Sequence, residues 1–356
     1  MSAPENLRIL HILPELTEGG VERHVLAVAN RQAESGHRVW VASAGGRLVD
    51  RLSRRTCHLE MPVDRKNIFT GLRCASKLAR LIRGEDIQIV HAHSRVPAWI
   101  AFFARKRAPG VRFVFTAHAL FSKNLGLWPI AQADGVLCVS RAVKDDLEGY
   151  LPRDKPVRVI YNARPDDVIP WTGSGNAQKK RLIFVGRLSE KKGILTLLDA
   201  LAPHKNRDWT LCLCGDGPLR PALLEKAEAL GISEKVEIQG YIDNVPEAIS
   251  SCDLFLFPSH KEGLPLALIE ALSSGAPTLA SDIPAVRELT VADERDASEL
   301  LSPGDASAWR DATGRFLSGT YRPSLSLKVH LPMQQEMVDQ ITDFYREILS
   351  GREQNP

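Results

Sequence analysis

The sequence predicts an α/β protein built from two doubly wound domains, each around a parallel sheet. Three observations carry this. The chain has 356 residues, more than one hydrophobic core usually holds. Strand-like and helix-like segments alternate along nearly all of it, and the alternation is interrupted once, near the middle. Apolar residues at 44% and charged residues at 25% are ordinary globular values, which excludes a disordered or fibrous chain.

The elements follow in order. Leu7–Leu13 is a short apolar run that leads into Thr17-Glu18-Gly19-Gly20. Val21, Val25, Val28 and Ala29 then recur at helical spacing, and Gly36 closes that helix. Val39–Ala42, Ile87–Val90, Arg112–Thr116, Gly135–Val139 and Val157–Tyr161 read as further strands, with helix-length segments between most of them. Residues 163–180 contain Pro165, Pro170, Gly173, Ser174 and Gly175 among polar neighbours, the composition of a linker. The alternation restarts with strand Leu182–Val185, helix Ile194–Leu201, strand Thr210–Cys214 and helix Leu219–Leu230. Strand Val236–Ile238, a short helix after Asn244, strand Leu254–Phe257, helix Leu266–Ser273 and strand Thr278–Ala280 complete the second half. A last amphipathic helix spans 333–350. The expected domains are therefore 1–165 and 181–332, joined by a linker at 166–180, with the last helix packing back on the first domain.

Several classes are excluded early. The six cysteines, at 57, 74, 138, 212, 214 and 252, include no C-x-x-C pair, so neither a zinc site nor a disulfide framework is indicated. Cys212 and Cys214 share one face of a strand and read as small core hydrophobes. The longest uncharged apolar run, Val96 to Ala104, is far short of the ~20 residues a membrane span needs. The first residues have neither the basic region nor the apolar length of a secretory signal. A cytoplasmic protein is expected. There is no G-x-G-x-x-G after the first strand, no G-x-x-x-x-G-K-[ST] and no D-x-D, which argues against a dinucleotide dehydrogenase, a P-loop enzyme and a metal–diphosphate clamp.

The net charge of +3 conceals a division. Residues 1–170 hold 26 basic and 17 acidic side chains, a net of +9, and residues 171–356 a net of −6. Within 51–112 there are 14 basic and 4 acidic residues. Scattered charge usually marks a solvated face; a one-sided excess points instead to an anionic partner for the first half.

Three segments carry candidate chemistry. Gly19 and Gly20 stand at a helix start after the first strand, where free N–H groups favour an anion, although a plain tight turn explains them equally well. Arg187 and Lys192 lie in Gly186–Gly193, directly after a strand, and such a pair can balance a diphosphate without a metal; the alternative is a solvated loop. The sharpest segment is Ser259 to Leu272, with Glu262 in a loop and Glu270 on the following helix among Leu268, Ile269, Ala271 and Leu272. A carboxylate on so apolar a helix needs a partner, and ligand hydroxyls would serve.

At these residues the chain resembles the retaining nucleotide-sugar glycosyltransferases of the GT-B fold, glycosyltransferase family 4. The resemblance covers nearly the whole chain. It is strongest from Leu182 through Leu289, in G-R-L-x-x-x-K-G, Gly215-Asp216-Gly217-Pro218, Asp253 before Leu254–Ser259, and E-G-L-P-L-x-L-I-E-A. Gly-Gly-Val-Glu at 19–22 and Thr116-Ala117-His118 occur in the right order. The chain departs from the family at Asn162-Ala163-Arg164-Pro165, at Ala119-Leu120 after His118, and at Asp282-Ile283-Pro284-Ala285.

The resemblance implies two Rossmann-like domains facing across a cleft, and roles for matching residues. Glu270 would hold the ribose of the donor nucleotide, and Glu262 would contact the transferred sugar near its reacting carbon. Arg187 and Lys192 would neutralise the departing diphosphate. Gly19 and Gly20 would offer backbone N–H groups to a phosphate. Gly263, Leu264, Pro265 and Leu266 would bind sugar or phosphate at a helix start, and His118 would line the sugar pocket. The implied reaction moves a sugar, with retention, from a nucleoside-diphosphate sugar to a hydroxyl of a glycan or lipid-linked acceptor, in bacterial lipopolysaccharide or other envelope polysaccharide synthesis. No metal or other cofactor and no nucleic acid is implied. The basic first half suits an anionic acceptor and peripheral contact with the inner face of the cytoplasmic membrane. Two competing classes are a nucleotide-sugar 2-epimerase of the same architecture and a non-catalytic nucleotide-sugar binder.

Overall fold

The computed structural model describes residues 5–122, 125–176, 178–291 and 300–351. Met1 to Pro4, part of the segment read above as no secretory signal, lie outside the described residues. The chain forms two compact units, residues 1–163 with 332–356, and residues 164–331.

The first unit is a seven-stranded, wholly parallel sheet. Its strands are β1 (Arg8–Ile12), β2 (Arg38–Ser43), β3 (Thr56–Glu60), β4 (Ile89–Ala92), β5 (Arg112–Ala117), β6 (Gly135–Cys138) and β7 (Val157–Val159). Their order is β3-β2-β1-β4-β5-β6-β7. Every residue of β4 and of β6 is buried, because helices cover both faces of a parallel sheet, and that is why such strands read as continuous apolar runs. Strand β3 was not anticipated. It is an edge strand with no fully buried residue, so Thr56-Cys57-His58-Leu59-Glu60 carries no apolar signature.

The second unit has β8 (Lys180–Val185), β9 (Trp209–Cys214), β10 (Val236–Gly240), β11 (Leu254–Phe257) and β12 (Thr278–Ser281). With the short strand Leu300–Leu301 they form a parallel sheet in the order β10-β9-β8-β11-β12, then Leu300–Leu301. Alternate residues serve opposite faces. Leu182, Phe184, Leu254 and Leu256 join the core around Trp209 and Trp309, whereas Ile183, Phe255 and Phe257 join the core around Leu268 and Val286. Cys212 and Cys214 lie in the second of these cores, and burial pushes the Cys214 thiol up to about 12, so it is no nucleophile at neutral pH.

One feature changes the organisation read from sequence, and a second follows it. Residues 166–180, expected as a linker, lie within the second unit. The Trp171 indole packs on that unit's core and donates to the Cys252 carbonyl at 2.7 Å. Ser174 Oγ donates to Asp253 Oδ2 at 2.7 Å, and Asp253 also accepts from the Arg181 amide. The Pro/Gly-rich composition marked the change of rhythm, but burying an indole with its N–H satisfied anchors the segment. The second feature is the helix Gln334–Ser350, which crosses back to the first unit. Its Met337, Val338, Ile341, Phe344, Tyr345 and Ile348 pack against Leu7, Ile9, Ile89, Val114 and Leu137. The approach is so close that a Cβ on Gly135 would stand 2.7 Å from the Phe344 ring. Among the described residues no helix is long and apolar enough to cross a membrane.

Candidate functional site

Each sheet reverses the direction of its strand order beside its first strand, between β1 and β4 in the first unit and between β8 and β11 in the second. Such switch points leave a crevice outside the carboxyl ends of the strands, where doubly wound sheets bind ligands. Apart from His118, which follows β5, the sequence candidates fall at these two places.

In the second unit, three loops interlock beyond β8, β9 and β11. The Gly186 amide donates to the Cys214 carbonyl at 2.9 Å, Leu188 to Asp216 at 2.9 Å, and Leu219 back to Leu188 at 3.0 Å. The His260 amide donates to the Lys191 carbonyl at 2.8 Å, tying the β11 loop to the β8 loop. Gly193 has φ +66°, and a Cβ there would meet the Pro258 carbonyl oxygen at 2.1 Å, so only glycine lets these two loops close together.

The closure brings Lys192 and Glu262 together, 70 residues apart in sequence. Lys192 Nζ donates to Glu262 Oε1, with the side chains only 21% and 16% exposed. The ammonium also faces the Phe257 ring at 5.8 Å. Arg187, on the same β8 loop, is exposed, and its guanidinium makes no ion pair with the described residues. Gly263, Leu264 and Pro265 are buried and lead into the helix Leu266–Ser274, on which Glu270 is half-buried. Pro265 is the residue before the helix, and it has no N–H to offer. Donation from this segment therefore comes from Leu264 and from the first amides of the helix, which have no intrahelical partner.

In the first unit, Gly19 caps and Gly20 opens the helix Gly20–Glu34, after β1. The Glu22 carboxylate lies directly over Gly19, so a carboxylate stands where the glycines were read as receiving a phosphate. His118 follows β5 and is half-buried. It belongs to a cluster of five histidines that sequence reasoning missed. His11 Nδ1 and His93 Nε2 are 3.0 Å apart, His93 Nδ1 and His118 Nε2 are 3.1 Å apart, and His11 Nε2 meets Gln32 Oε1 at 2.9 Å. His91 is held by Tyr345 and Thr116, each at 2.6 Å. His24 meets His118 edge-on, with ring centres 4.8 Å apart. Burial pulls His11 and His24 down to about 4, and burial together with neighbouring imidazoles holds His91, His93 and His118 well below the usual range. All five are neutral at pH 7. The available signal was His91-Ala92-His93 on a buried strand end, in register with His11.

With this geometry established, comparison with known proteins is specific. Residues 18–167 match the profile described as Glycosyltransferase Family 4, and residues 179–319 the profile described as Glycosyl transferases group 1, together more than four-fifths of the chain. The N-acetyl-alpha-D-glucosaminyl L-malate synthase of Bacillus anthracis is 27% identical over 312 residues, covering 80% of this chain and 81% of that one. The crystal structure of Anabaena Alr3699/HepE in complex with UDP and glucose superposes with a TM-score of 0.77 at 19% identity, over 98% of both chains. That of the lipopolysaccharide outer core galactosyltransferase WaaB, in its apo form, does so with a TM-score of 0.63 at 21% identity, over 97% of this chain and 98% of that one.

Proposed function

The chain belongs to glycosyltransferase family 4 with the GT-B fold, and on that premise we propose that it transfers a sugar from a nucleoside-diphosphate sugar to a hydroxyl of a glycan or lipid-linked acceptor, with retention. One observation carries the donor assignment: a cation and a carboxylate, Lys192 and Glu262, are paired at the β8/β11 switch point beside the unpaired Arg187. The relative from Anabaena was solved with UDP and glucose bound, which supports the same ligand class.

In this reading Glu270 takes the ribose hydroxyls, and Arg187 and Lys192 receive the diphosphate. Lys192 then exchanges its contact with Glu262 for a phosphate oxygen, freeing Glu262 to face the sugar near its reacting carbon. The bond from the sugar to the phosphate oxygen breaks as the acceptor oxygen attacks from the same face. The acceptor's proton passes to the leaving phosphate, so charge and atoms balance. Arg187 and Lys192 stabilise the negative charge that develops there, the task a metal performs in other transferases. His118 lines the sugar pocket, and the amides of Gly19 and Gly20 serve a phosphate once Glu22 has moved aside.

The relatives include enzymes of cell-envelope glycan synthesis, and this chain is proposed for lipopolysaccharide or a related envelope polysaccharide. The first unit supplies a reason for work at the inner face of the cytoplasmic membrane. Ile68 and Phe69 are 65% and 75% exposed at the start of the helix Ile68–Gly84, flanked by Arg65, Lys66 and Arg73. Apolar tips among cations suit an anionic lipid surface.

The experiment is a thermal-shift screen of purified protein against several nucleoside-diphosphate sugars, followed by proton NMR of the product formed with acceptor. Stabilisation by one donor and a retained anomer are expected. Silence from all donors removes the donor reading, and an inverted anomer removes retention. Donor alone distinguishes the isomerase class, which returns an epimerised nucleotide-sugar instead of free nucleotide.

A further inference from the structure

We propose that His24, His93 and His118 form a binding site for a first-row transition-metal ion of the Zn2+ class. Their ligand nitrogens all lie within 4.8 Å of one another.

Hydrogen bonding accounts for the other imidazoles but not for His24. With Gln32 Oε1 accepting, His11 carries its proton on Nε2, and its Nδ1 accepts from His93 Nε2–H. His93 Nδ1 in turn accepts from His118 Nε2–H. His91 spends both nitrogens on Tyr345 and Thr116, so the alternative set His11, His91 and His93 has no lone pair to spare. His24 is 6% exposed, and neither of its ring nitrogens has a hydrogen-bond partner. The Asn162 side chain lies within weak hydrogen-bonding reach of His24 but forms no regular hydrogen bond with it, and Asn162 Oδ1 is likewise buried and without a regular partner. Buried polar atoms are left unpaired only rarely, and a bound ion is one of the few explanations.

The surroundings fit an ion. Nitrogens on a tetrahedral zinc at about 2.0–2.1 Å stand about 3.3 Å apart, and the His93–His118 pair is already at 3.1 Å. A small rotation of His24 completes the set. The three ligands come from a helix and from the ends of β4 and β5, which hold them rigidly. His93 would bind through Nδ1 while its Nε2–H donates to His11, which is oriented by Gln32, the outer support that metal-bound imidazoles ordinarily have. Three imidazoles without a carboxylate select zinc, nickel or copper over magnesium or calcium. On binding, the proton between His93 and His118 moves to His118 Nδ1, so no net proton is released. Half-buried His118 provides the way in, and the fourth position is left to water.

The consequence for activity rests on the reading that His118 lines the sugar pocket. An ion held by His118 then opposes sugar binding, so it inhibits transfer and takes no part in it.

The test titrates the full-length, chelator-stripped protein with CoCl2, read by visible absorption, and with ZnCl2, read by calorimetry. One ion per chain with the absorption of tetrahedral cobalt is expected. His24→Ala and, separately, His24→Gln should weaken Zn2+ binding roughly 100-fold with an unchanged circular-dichroism spectrum, while His204→Ala, in the second unit, should bind as the wild type does. Absence of stoichiometric uptake, or equal uptake by both His24 variants, overturns the site. Inhibition of transfer by Zn2+ in the wild type but not in His24→Gln supports the consequence, and its absence despite binding overturns that alone. The titrations need no transfer, so a failure of the donor reading is recognised separately.

Discussion

Lys192 and Glu262 are each largely shielded from water, and each supplies the charge that makes the other tolerable there. Removing one member of such a pair leaves a poorly solvated charge. Lys192→Met is therefore expected to reduce turnover by roughly 100-fold or more, because the cation is needed most when the diphosphate departs. Steady-state kinetics should show the loss in kcat more than in KM. Glu262→Gln should abolish transfer yet still show a donor-induced thermal shift, which separates an enzyme from a passive binder. The histidines make a different prediction at the same scale. His11 and His24 have folded-state values of about 4 against 6.5 in the unfolded chain. The unfolded chain then takes up protons first as pH falls, so stability is intact above pH 6.5 and lost progressively towards pH 4. A full shift of this size is worth about 3 kcal/mol per group. Urea midpoints measured between pH 7 and 4.5 should fall, and fall less in His24→Phe; a flat profile would contradict the burial of neutral imidazoles.

Loops at the carboxyl ends of the strands are the elements that create the donor site. Gly193 is their contact point, and Gly193→Ala combines a left-handed backbone with a clash against the Pro258 carbonyl. A loss of about 1–3 kcal/mol is expected, with a weakened donor-induced thermal shift, because the β8 and β11 loops can no longer meet; unchanged melting and unchanged shift would refute it. Local pattern was sufficient for many elements. Ile194–Leu201 and Leu254–Phe257 form over the residues their apolar runs indicated, because buried parallel strands and one-sided helices are apolar for reasons local to themselves. It was insufficient for β3, whose only definition is pairing with β2, and for residues 166–180, where Trp171 overrides a linker-like composition. At the site, E-x(7)-E and the basic loop were visible as residues, but the Lys192–Glu262 pair was not, since nothing local brings together residues on two different loops.

At the scale of the molecule, the last helix belongs to the first unit's core although a whole second unit separates them in sequence. Phe344 is 2% exposed there, and Phe344→Ala should cost about 3–5 kcal/mol, read as a lower melting transition of the first unit. The helix also alters the charge division. Residues 1–163 carry a net of +10 and residues 332–356 a net of −3, so the first unit has +7. It remains the basic unit, and co-sedimentation with anionic vesicles should exceed that with neutral ones and fall in an Ile68→Ser/Phe69→Ser double variant; equal sedimentation would remove the membrane partner.

The sequence by itself determined the two parallel sheets, the order of their elements, the family, and the residues of the donor loops, because periodicity, strand-end glycines and compact motifs are short-range properties. Tertiary structure alone decided that Lys192 neutralises Glu262, that the linker-like segment joins a core, and that five scattered histidines share one neutral cluster. The physical reason is the same in each case. Parallel strands are joined by long crossovers, so residues far apart in sequence become neighbours at the strand ends. Burial there, more than residue type, sets the charge state and the possible chemistry of those residues.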